Sequence, residues 1–289
     1  MKDVKGFCKL FDLSIPEHEE FDYYVGQMSK LEKFKHIPKM IPLFTEAEEK
    51  WGDLHSLRMQ KADEIIKFLQ TTRAYNELNL DNLIPDLPIT KNFQYSEEKY
   101  YFSIDMKSAN WQVLKSYDPS FLNELGATYD ELLDKFEVPE VFKHSKQFRQ
   151  YIFGNINPKR QIRAQRIQIQ KVIDQFGNPD LQIEILKSDE VIWSFTDWNI
   201  VKVIVEKLDN SKFKWKIFKV QRVEDFRINS YYDILGNFTN KEMVGCNGNL
   251  FFYFLKKYIF KEPLDIRDLY FRSDGNLAIW KVDGLKCQL

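Results

Sequence analysis

The chain has 289 residues, of which 44% are apolar, 15% aromatic and 29% charged, and its formal net charge is −1. This length suits one or two domains with a substantial core, and the apolar and aromatic fractions exclude a largely disordered chain. The near-neutral charge excludes a general polycation or polyanion.

The sequence predicts an intracellular protein without a membrane span. The most apolar run, Leu250 to Phe260, is short and contains Lys256 and Lys257, whereas a spanning helix needs about 18 or more apolar residues. Lysines near the N-terminus interrupt any signal-peptide core. The three cysteines are widely separated, so we expect a reducing compartment and no cysteine-based zinc site.

Residues 1–98 are predicted to form a mostly helical N-terminal region. Apolar residues recur at helical spacing between Glu46 and Leu69. Pro85 and Pro88 then mark a break before the next segment, because proline punctuates regular structure.

Residues 99–223 show the order β-α-β-β-α-β, which is the split βαβ arrangement of α+β proteins. In this arrangement the first and third strands lie side by side, so Asp105 and Asp189 should meet at one edge of the sheet although 84 positions separate them. The predicted hairpin turn is Lys187–Glu190. The predicted strands are Tyr100–Asp105, Leu181–Leu186, Val191–Phe195 and Lys212–Val220.

A small C-terminal α+β unit is predicted for residues 224–289. It contains a helix candidate at Asn249–Phe260 and a hairpin at Leu269–Val282. We find no chemical motif in this part of the sequence.

The charge is unevenly distributed. Between Val141 and Ile173 there are eight basic residues and no acidic one, while the remaining 256 residues carry a net charge of −9. One basic segment on an acidic chain predicts a local anion site, although such a helix can also be a solvated surface. The eight basic residues are Lys143, Lys146, Arg149, Lys159, Arg160, Arg163, Arg166 and Lys171.

Carboxylates flank this basic segment in the sequence. Asp105 ends the first strand, and Asp189 and Glu190 occupy the hairpin turn. Nucleotidyl transfer uses carboxylates that hold divalent metal ions, together with cations that bind the triphosphate. Asp-Glu pairs also occur elsewhere in the chain, so the pair at 189 is informative only because of its hairpin.

These residues resemble the palm of nucleic-acid polymerases, and most closely that of family A DNA polymerases. The segment SIDMKSANWQVL is similar to their first motif, with Asp105 as the metal-binding aspartate. SDE, with Asp189 and Glu190, resembles their H-D-E hairpin. EVPEVFKHSKQFRQYIFGNINPKRQ resembles their fingers helix, with Arg149 at the lysine position that contacts the triphosphate and Phe153 at the aromatic position.

The sequence departs from that family at several positions. Asn110 replaces the glutamate that screens the sugar, and Ser145 replaces the leading arginine of the fingers helix, although Lys146 is adjacent. Reverse transcriptases and viral RNA polymerases are the close competitors, because DMKSA resembles their first motif and Gly154–Pro158 their central loop. They carry Asp-Asp in the hairpin, where this chain has Asp-Glu.

The resemblance implies an α+β protein with a palm-like core and a reduced fingers insertion at 99–223 and a unit in a thumb-like place at 224–289. It implies a nucleotidyltransferase that uses Mg²⁺ or Mn²⁺, nucleoside triphosphates and a primer–template, with other replication or transcription subunits as further partners. The implied roles are catalysis for Asp105, Asp189 and Glu190, metal binding for Asp105 and Asp189, nucleotide binding for Lys146, Arg149, Phe153 and Asn110, and nucleic-acid binding for Lys159, Arg160, Arg163 and Arg166.

Two other interpretations remain open at this point. The same frame serves non-catalytic modules that bind nucleic acid, and a degenerate palm would belong to that class. The chain could also be a structural subunit of a replication or transcription assembly. The high Lys, Asn, Ile and Phe content is typical of an AT-rich genome, for which a virus or phage is one source.

Overall fold

A six-stranded antiparallel sheet forms the centre of the protein, in the strand order β2-β3-β1-β4-β5-β6. The computed structural model describes residues 1–72, 88–117, 126, 128–246, 250–273 and 276–281. The strands are β1 (Tyr100–Met106), β2 (Gln182–Leu186), β3 (Glu190–Phe195), β4 (Phe213–Val223), β5 (Phe226–Tyr232) and β6 (Phe238–Val244), with a separate hairpin of β7 (Tyr270–Ser273) and β8 (Asn276–Ile279).

The first four strands have the split βαβ arrangement that the sequence predicts. β1 lies between β3 and β4 and is antiparallel to both. The α+β class and the central pairing of the first and third strands are therefore confirmed. The helices are α1 (Val4–Phe11), α2 (Phe21–Met28), α3 (Ile37–Trp51), α4 (Leu54–Thr71), α5 (Ala109–Tyr117), α6 (Tyr129–Lys135), α7 (Glu140–Lys143), α8 (Lys146–Gly154), α9 (Pro158–Phe176), α10 (Trp198–Lys207) and α11 (Phe251–Phe254).

One face of the sheet is covered by helices α5, α9 and α10. Side chains alternate along a strand, so Phe102 and Ile104 of β1 point to this face with Trp193 of β3 and Ile217 of β4. All four are almost completely buried in one cluster. The large apolar area that they remove from water holds the helices against the sheet.

The opposite face, which we call the open face, carries Asp105 and Ser103 of β1. A segment that we call the strap, residues 90–97, crosses it. The strap is anchored at one end by a hydrogen bond from the Thr90 N–H to the Leu186 carbonyl, 2.9 Å long. Further along, Tyr95 packs edge-on against Tyr101, with ring centroids 4.9 Å apart.

The N-terminal helices share a core with α8, which begins just after Ser145 and contains Lys146, Arg149 and Phe153. Ser145 caps α8 by accepting a hydrogen bond from the Phe148 N–H, and it donates one to the Leu10 carbonyl in α1. Phe148 and Phe153 are buried in the same cluster as the N-terminal helices. Packing against this core thus fixes the position of α8.

The C-terminal region begins inside the sheet, because β5 and β6 continue it directly from β4. The expected domain boundary after residue 223 falls at the tight turn between β4 and β5. Helix α11 continues as a π-helical segment, Leu255–Phe260, and the predicted hairpin is present as β7 and β8. Among the described residues, no helix combines the length and apolarity needed to cross a membrane.

Candidate functional site

The predicted carboxylates converge at one end of the open face. Asp105 lies directly opposite Glu190 in the pairing of β1 with β3, so both side chains point to the same face. The Met106 N–H donates a hydrogen bond of 2.9 Å to the Asp189 carbonyl, which brings the hairpin turn beside the end of β1. The pairing therefore places the Asp105 and Glu190 side chains on one face and the main chain of Asp189 beside them.

The hairpin turn has a local cause. The Lys187 N–H donates to the Glu190 carbonyl at 2.8 Å and closes the turn around Ser188 and Asp189. Serine and aspartate favour such turns because their short side chains bond to nearby groups. Asp189 is consequently held at the tip, while Glu190 begins β3.

Cations already compensate two of these carboxylates. Lys214 of β4 places its Nζ 2.7 Å from Asp105 Oδ2. Glu190 accepts hydrogen bonds of 2.6 Å from Ser103 Oγ and from Lys187 Nζ. In the part of the chain that the structure describes, no three His, Cys, Asp or Glu side chains are grouped so as to hold a metal ion.

The environment of Asp105 disfavours its negative charge. Burial is the main cause that raises the pKa of this carboxyl, and the charges of Glu190 and Asp189 raise it further. The hydrogen bond from Lys214 acts in the opposite direction but does not outweigh burial. Crowded carboxylates of this kind gain stability when a cation binds between them.

We expect Asp105→Asn to stabilise the fold at neutral pH. The raised folded-state pKa means that the native protein binds the Asp105 proton more tightly than the unfolded chain does. Stability from this group is therefore present below the ordinary value of 3.8 and is lost as the pH rises through the raised pKa. As the pH rises through the raised pKa, the free energy of unfolding of the variant should therefore become larger than that of wild type. Urea unfolding at several pH values measures this difference.

Asp209→Asn is the matched control, because hydrogen bonds from Ser211 lower the pKa of Asp209. Its folded-state carboxylate is favoured, so the same substitution there should destabilise the protein at neutral pH. A loss of stability in Asp105→Asn like that in Asp209→Asn would show that the Asp105 carboxylate is a structural group.

Helix α8 presents the residues predicted to contact the triphosphate. Lys146 is exposed in its first turn, and Arg149 is half-buried one turn further on. Phe153 is only 1% exposed and packs against Tyr129, with ring centroids 5.9 Å apart. A ring buried in the core cannot stack on a base, so Phe153 is not among the residues that we place in the nucleotide site.

Helix α9 brings the basic segment towards the carboxylate end of the sheet. Gln165 Nε2 donates a 2.6 Å hydrogen bond to Asn110 Oδ1, which sets the middle of α9 beside the first turn of α5, shortly after Asp105. The N-terminal half of α9 then extends away from that contact. This half carries the predicted nucleic-acid-binding residues, namely the exposed Lys159 and the half-buried Arg160, Arg163 and Arg166, the last of which is just before the midpoint.

The buried face of α9 agrees with the apolar spacing at Ile169, Val172, Ile173 and Phe176, which are buried, and differs from it at the start of the helix. The apolar spacing predicts that Ile162 faces the core, but Ile162 is 44% exposed, while Gln161 and Gln165 are buried. Among the described residues, Gln161 has no hydrogen-bond partner at either side-chain polar atom, and neither has the Tyr129 hydroxyl. The sequence analysis identified neither Gln161 nor Tyr129. The signal available for Gln161 is that a second glutamine, Gln165, follows it one helical turn later in a helix rich in basic residues.

A large cavity lies elsewhere in the described part of the chain. It has a volume of about 590 Å³ and lies between the strands β4–β6 and residues 31–34. None of the three carboxylates lines it. We therefore place the candidate site at the carboxylates, which carry the chemistry, and not at this cavity.

Comparisons with known protein families and with curated proteins found no match to this chain. Any functional assignment must therefore come from the residues and their geometry.

Proposed function

We propose that the protein transfers nucleotides to a 3′-hydroxyl in the manner of a palm-domain polymerase. The observation that carries this proposal is that Asp105 and Glu190 share the open face of a split βαβ sheet at the end of β1, with the main chain of Asp189 hydrogen-bonded beside them. Helices cover the other face, so an extended substrate would approach the carboxylates from the open side. The basic helix α9 reaches the same end of the sheet through its contact with Asn110.

The carboxylates fit Mg²⁺ or Mn²⁺ of the kind that substrate phosphates help to hold. Magnesium commonly binds to one or two carboxylates together with phosphates and waters, and does not need a complete protein cage. The Lys214 ammonium lies against Asp105 Oδ2, at a position that a metal cation would take in the proposed reaction. Asp105 and Asp189 would hold the metal, which when bound activates the attacking hydroxyl and stabilises the leaving oxygen.

The remaining residues position the substrate. Lys146 and Arg149 carry the positive charges that a triphosphate requires, since guanidinium and ammonium groups bind phosphate oxygens strongly. Glu190, held by Ser103 and Lys187, keeps a second negative charge beside Asp105.

The direct test is incubation of the purified protein with a labelled primer–template, dNTPs or NTPs, and Mg²⁺ or Mn²⁺. We expect primer extension with one class of nucleotide and none after addition of EDTA. Parallel reactions with DNA and RNA templates identify the substrate. Absence of extension on every template with either metal would reject the proposed transfer.

A second candidate is a nucleic-acid-binding module without catalysis. The Asp105–Lys214 ion pair favours it, because a lysine that neutralises the first carboxylate removes the need for a metal. Such a module would bind nucleic acid with strong salt dependence and would respond neither to Mg²⁺ nor to nucleotide.

A further inference from the structure

Two arginines face each other on the open face, at the end of β4 remote from the carboxylates. Arg222 and Arg227 are direct partners in the pairing of β4 with β5. Both contact the strap: Arg222 Nη2 donates a 3.0 Å hydrogen bond to the Tyr95 carbonyl, and the Arg227 guanidinium lies 4.3 Å from the centroid of the Tyr95 ring. Like charges directly opposite each other destabilise a sheet, so an anion bound between them would be favoured.

Arg227 has unused hydrogen-bonding capacity. Within the described residues, its Nε is buried without an acceptor and no ion pair joins either arginine to a carboxylate, although the Glu97 carboxylate of the strap accepts a 2.6 Å hydrogen bond from the Arg222 main-chain N–H. Burial raises the pKa of the Cys246 thiol to about 11, and the charges of Asp225 and Glu224 raise it further.

The arginines line a cavity of about 330 Å³ together with aromatic side chains of the strap and with Glu224 and Asp225 of the β4–β5 turn. Tyr95 is buried under Arg227, whereas Phe93 is half-exposed at the cavity wall. Guanidinium groups beside accessible aromatic rings are the combination that binds single-stranded nucleic acid, because the first takes the phosphate and the second stacks on a base. A small inorganic anion would use only the first of these features.

We propose that Arg222 and Arg227 bind a backbone phosphate of a single-stranded nucleic acid that follows the open face. Arg222 and Lys214 are on the same face of β4, eight residues and about 26 Å apart, a distance that several nucleotides span. The identification of this strand as the substrate of the enzyme rests on the proposed nucleotidyl transfer. Binding itself needs neither metal nor nucleotide, so it can be measured when transfer fails.

The test measures the affinity of the full chain for a fluorescein-labelled oligothymidylate and for oligouridylate, each of about 20 nucleotides, by fluorescence anisotropy in EDTA. Arg227→Gln should bind about tenfold more weakly at low salt, and the slope of log affinity against log salt should fall by about 0.7. Urea unfolding should show no loss of stability, because the substitution removes the like-charge contact. Lys219→Gln is the matched control, since Lys219 is on the same strand but on the helix-covered face.

Affinity within twofold of wild type in Arg227→Gln, or an equal loss in Lys219→Gln, would overturn the proposal. Competition gives a second criterion, in which inorganic phosphate and an unlabelled oligonucleotide are compared at the same total phosphate concentration. The proposal would also be overturned if inorganic phosphate displaced the labelled oligonucleotide just as effectively as the unlabelled one did. Weaker binding confined to Arg227→Gln supports it even if no primer extension is found, in which case the proposed transfer alone fails.

Discussion

Asp189→Asn should reduce Mg²⁺-dependent primer extension by more than about a hundredfold, because even outer-shell partners of a metal site contribute about 10–100-fold. The amide keeps the size of the side chain but cannot supply the negative charge that a divalent cation needs. The fold should remain intact, since the Asp189 carboxylate accepts only a long 3.4 Å contact from Ser188, and the hydrogen bond from Met106 goes to the Asp189 main-chain carbonyl. Extension rates and circular dichroism measure the two effects.

Asp63→Asn is the control for this experiment. Asp63 precedes Glu64 just as Asp189 precedes Glu190, but it is exposed on α4. Its replacement should leave extension unchanged, because the Asp-Glu dipeptide has no chemistry outside the hairpin. Wild-type rates in Asp189→Asn would reject Asp189 as a metal ligand.

Asp268→Ala should lower the free energy of unfolding by about 3–5 kcal/mol, the range for a buried ion pair that loses one partner. Asp268 is completely buried, and its two oxygens accept hydrogen bonds from the Tyr23 hydroxyl at 2.7 Å and the Asp265 N–H at 2.7 Å. Lys256 Nζ lies 3.0 Å away and is also buried. Removing the carboxylate leaves that ammonium uncompensated, as urea unfolding would show.

Glu262→Ala provides the comparison, because Glu262 forms a half-exposed ion pair with Lys30 at 2.9 Å. Exposed pairs contribute about 0–1 kcal/mol, so this variant should unfold almost like wild type. Similar losses in Asp268→Ala and Glu262→Ala would mean that water reaches Lys256 once the carboxylate is removed.

The sheet could be predicted because its signals are local. Alternation in β4 and the turn at Ser188 and Asp189 fix which side chains share a face, and the split βαβ rule then brings Asp105 and Glu190 together. The extension by β5 and β6 was not predicted, since no sequence pattern states that a hairpin continues an existing sheet. The candidate carboxylates follow from the same local signals, but Lys214 as their partner depends on the register between β1 and β4.

Tertiary packing determines the burial of several residues for which the sequence pattern gives no prediction or a wrong one. Phe153 is buried because α8 packs on the N-terminal helices, and the apolar periodicity of α8 alone does not say which elements cover it. Gln161 is buried in place of Ile162 because the orientation of α9 is set by the contact between Gln165 and Asn110. The arginine pair at 222 and 227 depends on strand register, which is invisible in the sequence.

The position of β1 in the middle of the sheet affects how the chain can acquire its fold. Asp105 pairs with Glu190 and Tyr101 with Phe218, so the first strand made is joined to partners 85 and 117 positions later. Long separations of this kind slow folding, because loop closure must precede the contacts that reward it. On the ribosome, the helices before residue 72 can collapse early, while β1 keeps both edges unpaired until β3 has emerged and one edge unpaired until β4 has emerged.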